Sequence, residues 1–131
     1  MARPRMDYDR SDPATEWALR ISVAVVFSLV GLDKLVPPLS APWVQTFNAI
    51  GLGQWFRYCT GLIELVGGLL YLVPRATIVG AALLIATMCG AMFVQAFVLG
   101  HPGNAFFPGL YLIGVVLASA KLRVFRRIEP A

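Results

Sequence analysis

Glu64 lies near the middle of an apolar run from Trp55 to Val73, and no other acidic residue in the chain is so placed. A carboxylate at the centre of a bilayer costs roughly 2.5–3.5 kcal/mol on insertion scales, so it needs a buried partner and marks a candidate functional site. Three residues could supply that partner: Arg20 from one side, Lys34 from the other, and Gln95 across the molecule. At ~1.5 Å per residue the two basic Cα levels lie roughly 10 Å from Glu64, a gap that a long side chain or one water closes. Without such a partner, burial would leave Glu64 carrying its proton. A carboxyl group in this setting can carry a proton, contact a quinone head or hold an ion. The plainer reading is a packing and register device between helices, with Arg20 and Lys34 reaching out to the two membrane surfaces.

Further candidates surround this polar set. Asp33 falls on a different side of its helix from Lys34 and close in depth to Arg57, which predicts an outer Asp33–Arg57 ion pair. Tyr71, Met88, Met92 and Tyr111 are candidates to line a ligand site. The plainer reading makes the methionines core filling and the tyrosines anchors at helix ends. His101 precedes Pro102 and reads as a solvated turn residue before it reads as a proton donor or metal ligand. The two cysteines, Cys59 and Cys89, form no CxxC, no CxxCH and no Cys/His cluster. That argues against a dithiol centre, a zinc site and c-type haem attachment, and leaves both as small apolar residues. No metal is expected, and no cofactor other than a quinone. No nucleophile–base pair, phosphate loop, HExxH or paired-His haem pattern is present. An autonomous enzyme is therefore not expected; any activity would be that of a quinone-linked oxidoreductase subunit.

The elements that must position these residues follow from composition. Of 131 residues 58% are apolar and 14% charged, with a mean hydropathy of +0.72. Ordinary soluble domains carry ~25% charged residues. Spans of ~20 residues cross a bilayer, and four of them with short connections use nearly all of the chain. The spans are predicted at about 17–36, 55–73, 76–99 and 105–120, in a single transmembrane domain over 1–131 with a basic tail at 121–131. The first helix starts at Asp12-Pro13, a good cap followed by a good first helical residue, and stops before Pro37-Pro38. In the 37–54 loop, Ser40-Ala41-Pro42 looks like a helix start and Gly51 like a stop. Between them Trp43, Val44, Phe47 and Ile50 recur at helical spacing opposite Gln45 and Asn48, which predicts a short amphipathic helix at the outer interface or over the bundle mouth. Pro74-Arg75 makes a tight turn, and His101-Pro102-Gly103-Asn104 another, with Asn104 as cap of the last helix. Pro108 is tolerable so near that helix's start. Residues 1–16 mix basic and acidic side chains and do not resemble a signal peptide, so the first apolar run is expected to be a retained helix.

A helix advances ~100° per residue, so faces can be read from spacing. One stripe carries Arg20, Ala24, Phe27, Gly31 and Lys34; another carries Arg57, Thr60, Gly61, Glu64, Gly67, Gly68 and Tyr71. Polar and small residues share stripes, and both belong inside a membrane bundle. Basic residues set the orientation. Arg3, Arg5, Arg10, Arg75, Lys121, Arg123, Arg126 and Arg127 fall on one side, Lys34 and Arg57 on the other. Both termini are therefore expected to be cytoplasmic, with the 37–54 loop outside. The net charge of +4 flanks the apolar segments, which points to anionic lipid heads and not to nucleic acid.

The chain resembles the DoxX family of small four-helix bacterial membrane proteins. The likeness rests on Arg20, on Gly31-Leu32-Asp33-Lys34-Leu35, on Gly61-Leu62-Ile63-Glu64-Leu65-Val66-Gly67-Gly68 and on Pro74-Arg75, in that order, and covers about residues 16–120. It implies an all-α integral membrane four-helix bundle in the bacterial inner (plasma) membrane, with both termini inside. It implies an association with redox chemistry too: some relatives are the membrane subunit of a thiosulfate:quinone oxidoreductase, others the membrane partner in an oxidative-stress complex. Arg20, Lys34 and Glu64 match the family's polar positions. Relatives that use cysteine pairs are no guide, because Cys59 and Cys89 lie at different depths and off the polar stripes.

Two functions are expected from these readings. The first is an accessory subunit of a membrane redox or respiratory complex that contributes to a quinone or lipid site, with the bilayer and a larger complex or further copies of the chain as partners. The second is a small proton-coupled transporter or carrier that uses Glu64.

Overall fold

The computed structural model describes residues 12–124, which form five α-helices, a π-helical turn and a 3-10 turn, with no strand among the described residues. Helix α1 (Pro13–Leu35) follows Asp12, whose side chain makes no capping bond, and ends where Val36 turns extended. That is the conformation a residue before proline prefers. Helix α2 (Ala41–Ile50) is the short amphipathic element, stopped by Gly51 at φ +84°, a left-handed backbone that glycine adopts without strain. Helix α3 spans Gln54–Leu72, α4 Thr77–Phe93 and α5 Phe106–Lys121.

Two boundaries differ from expectation. The third predicted span is not one regular helix, because α4 passes into a π-helical turn at Val94–Val98. Asn104 does not cap the last helix. It lies inside a 3-10 turn over Pro102–Ala105, where its N–H donates to the His101 carbonyl (3.0 Å), and Ala105 takes the cap position. Pro102 fixes its own φ and starts that turn, which absorbs Asn104. The basic tail is described only as far as Val124, which is buried. Arg126 and Arg127, like Arg3, Arg5 and Arg10, lie outside the described residues.

Helix α1 packs along α3, α3 on α4 and α4 on α5, with α5 returning to touch α1 and α2 resting on α3. Glycines set the closest approaches. A Cβ at Gly31 would stand 2.6 Å from the Gly61 carbonyl oxygen, and one at Gly80 would stand 2.7 Å from the Gly67 carbonyl oxygen. Either pair of helices would have to separate to accept a side chain there. Gly68 lies against the carbonyl of Ala24 while Gly31 lies against Gly61 and Leu65, so α1 and α3 run antiparallel. Below these contacts a core forms from Val23, Phe27, Tyr71, Ala81, Leu84, Met88, Val115 and Ala118.

The outer surface is apolar. Leu29 (62% exposed), Trp55 (62%), Phe97 (77%) and Leu117 (64%) stand out from α1, α3, the π turn and α5. Two helical stretches, Thr77–Val98 and Pro102–Lys121, are long and apolar enough to cross a membrane. Helices α1 and α3 carry the charged residues Glu16, Arg20, Asp33, Lys34, Arg57 and Glu64, whereas α4 and α5 carry none before Lys121.

Candidate functional site

Of the partners proposed for Glu64, the structure selects Lys34. Lys34 Nζ lies 2.5 Å from Glu64 Oε1, with Lys34 buried and Glu64 wholly so. Helix geometry explains the choice. Side chains lean toward the N-terminus of their own helix. In the antiparallel pair α1–α3, Lys34 leans back down α1 and Glu64 leans up α3, so the two converge across the axial gap. Arg20 leans the opposite way, away from Glu64. Its guanidinium donates to the Tyr71 carbonyl oxygen (3.2 Å) and to Thr77 Oγ1 at the far end of the molecule.

The expected Asp33–Arg57 pair does not form. Asp33 Oδ2 accepts from Trp43 Nε1 of α2 at 2.6 Å. Arg57 donates to Gln54 Oε1 (2.6 Å) and to the carbonyl oxygen of Lys34, and its guanidinium sits 4.3 Å from the centre of the Tyr58 ring. The last turn of a helix has carbonyls without intrahelical partners. Arg57 takes one of these at the end of α1, and α2 brings in Trp43 to take Asp33. The same Trp43 presents its ring 4.8 Å from Lys34 Nζ. Gln54 Nε2 adds bonds to the Val44 carbonyl (3.0 Å) and Asn48 Oδ1 (2.8 Å), so α2 is tied down at both ends.

Lys34, Glu64 and Gln95 line one cavity of about 430 Å³. Helix α2 walls it with Trp43, Thr46, Phe47 and Ile50; Phe56, Thr60 and Ile63 come from α3, and Leu83, Thr87 and Phe93 from α4. Phe47 and Phe56 meet edge to face at 5.7 Å. Gln95 stands in the π-helical turn, and its backbone carbonyl accepts from the His101 N–H (2.8 Å). Such turns frequently occur at functional sites. Two buried side-chain oxygens among the described residues have no hydrogen-bond partner, Glu64 Oε2 and Gln95 Oε1, and both residues line this cavity.

The other ligand-lining candidates lie elsewhere. Tyr71 is buried with its hydroxyl 2.9 Å from Ser119 Oγ, and Met88 belongs to the core. Tyr111 meets Phe27 edge to face at 5.9 Å, and Met92 lies over Gly109. None of these four lines the cavity. What the spacing missed was the contribution of Trp43, Phe47 and Ile50; the signal was their shared apolar face. Cys59 and Cys89 are free and exposed, and the described residues hold no cluster of metal-ligating side chains.

The chain belongs to the DoxX-like family, whose model matches residues 18–119. Among individual proteins it is 32% identical over 112 residues, 86% of this chain and 82% of the relative, to a Bacillus subtilis (strain 168) protein named "Putative oxidoreductase CatD". No solved structure matches the chain. Family membership and two apolar helices of spanning length together support a membrane location.

Proposed function

We propose that this protein is a multi-pass four-helix bundle of the bacterial inner (plasma) membrane. In this reading α1, α3, α4 and α5 all span, and both termini are cytoplasmic. It acts as an accessory subunit of a membrane redox or respiratory complex and holds a lipid-soluble quinone in the cavity beneath α2. The apolar outward faces of α1 and α3 support the two further spans, since exposed apolar surface on this scale is abnormal in water.

The cavity carries the functional reading. It falls in the ~300–1,000 Å³ range of ligand sites, its walls are mostly apolar and aromatic, and a few polar groups converge in it. Lys34 and Glu64 neutralise each other, so the site suits a neutral head on an apolar tail. The residues present thus fit a quinone: Phe47, Phe56 and Phe93 would flank its ring, and Lys34, Glu64 and Gln95 would meet its polar edge. When bound, such a molecule supplies the electron-carrying chemistry that no side chain here provides. The relative's name, which calls it an oxidoreductase, agrees with this reading. The transporter reading has less support, because Glu64 is already held by Lys34 and the cavity walls are mostly apolar.

The test is gentle extraction of the native protein into polymer discs, with mass spectrometry of co-extracted proteins and lipids. A stoichiometric redox enzyme together with a quinone is the expected result. A lone monomer or homodimer without quinone would overturn the proposal and turn attention to transport through Glu64.

A further inference from the structure

The hydrogen-bonding groups around the cavity are unevenly used. Its hydroxyl and indole donors are all engaged by protein: Trp43 Nε1 by Asp33, Thr46 Oγ1 by the Pro42 carbonyl, Thr60 Oγ1 by the Arg57 carbonyl and Thr87 Oγ1 by the Leu83 carbonyl. Lys34 Nζ gives one of its three N–H groups to Glu64 Oε1 and lies 4.8 Å from the centre of the Trp43 ring. Among the described residues, the buried side-chain oxygens without partners are Glu64 Oε2 and Gln95 Oε1, both acceptors. A buried acceptor left unbonded is costly, so an occupant that supplies a proton to it gains affinity. A carbonyl can only accept, whereas a hydroxyl donates and still accepts.

We infer that the cavity selects a neutral, lipid-soluble molecule whose head donates hydrogen bonds, an aromatic diol, over the dione with the same carbon frame. Glu64 Oε2 and Gln95 Oε1 are the receiving atoms. This rests on the quinone-site reading and deepens it: the form held most tightly is the reduced one. A head carrying a net charge is disfavoured, because the Lys34–Glu64 pair leaves the site neutral and a lone buried charge is costly. The position of Gln95 in the π-helical turn gives the selection a structural basis. A regular helix through 94–98 would place that side chain at a different angle around the axis.

The full chain in nanodiscs of phosphatidylglycerol and phosphatidylethanolamine, titrated calorimetrically under anaerobic conditions against empty discs, tests this. The probes are durohydroquinone, duroquinone and the dimethyl ether of durohydroquinone. Durohydroquinone is expected to bind about tenfold more tightly than either of the others, the worth of one to two net hydrogen bonds. Gln95→Met, checked for an unchanged unfolding midpoint, should cut that preference several-fold. Equal or tighter binding of duroquinone would overturn the donor requirement while leaving the quinone site standing. Binding of none of the three would overturn the quinone site itself. A preference that survives intact in Gln95→Met would remove Gln95 from the receiving pair.

Discussion

Two clusters of buried polar side chains join α1 to α3, one toward each end, and they are finished differently. At the α4 start, Arg20 donates to the Tyr71 carbonyl and Thr77 Oγ1, Thr77 Oγ1 lies 3.0 Å from the Val73 carbonyl, and the Tyr71 hydroxyl meets Ser119. No buried side-chain polar atom there lacks a partner, and none of these residues lines the cavity. At the α2 end, Lys34 and Glu64 form the same kind of cross-helix link but leave Glu64 Oε2 unpaired beside an open volume. A saturated cluster clasps helices and can do little else. An unsaturated one beside a cavity has binding capacity left over. On the proposed function, Arg20 is structural and the Lys34–Glu64 end faces the ligand, although the sequence presents both cations in the same stripe.

The largest effect that would break this contrast is expected at Lys34. Lys34→Ala leaves the Glu64 carboxylate buried and alone, and should cost about 3–5 kcal/mol in detergent unfolding. Lys34→Leu combined with Glu64→Leu should recover most of that loss, because the uncompensated charge is then gone. A double variant as unstable as the single one would show that the pair itself holds the fold.

Arg20→Met should cost less, about 1–3 kcal/mol, since Thr77 keeps the Val73 carbonyl and the Tyr71 carbonyl loses one donor. Its diagnostic feature is retained ligand binding; lost binding would erase the distinction between the two ends. The smallest effect is expected at Gln95. Gln95→Met removes an unpartnered buried acceptor, so the unfolding free energy should stay within about 0.5 kcal/mol of the parent, whereas ligand affinity falls.

Much of this arrangement is legible in the sequence. The stripe with Lys34 and the stripe with Glu64 follow from helical spacing, which leaves Arg20, Lys34 and Gln95 all open as partners; the structure decides for Lys34, in keeping with the lean of side chains toward helix N-termini. The face of α2 is legible too. Its docking is not, because that depends on Trp43 reaching Asp33 across two helices, a contact that spacing within one helix cannot show. The same docking diverts Asp33 from Arg57. The π turn at Val94–Val98 is hidden for another reason: no proline or glycine interrupts that run, so the apolar pattern reads as continuous helix. Tyr71 and Met88 are buried, but burial in the core and burial beside a cavity look alike in sequence.

The most direct measurement is the quinone content of three proteins extracted into native polymer discs: the parent, Arg20→Met, and the double variant Lys34→Leu with Glu64→Leu. Organic extraction and mass spectrometry should find quinone in proportion to protein for the parent and for Arg20→Met, and a loss to the background of the surrounding lipid for the double variant. Equal content in all three would contradict a quinone site at the Lys34–Glu64 end.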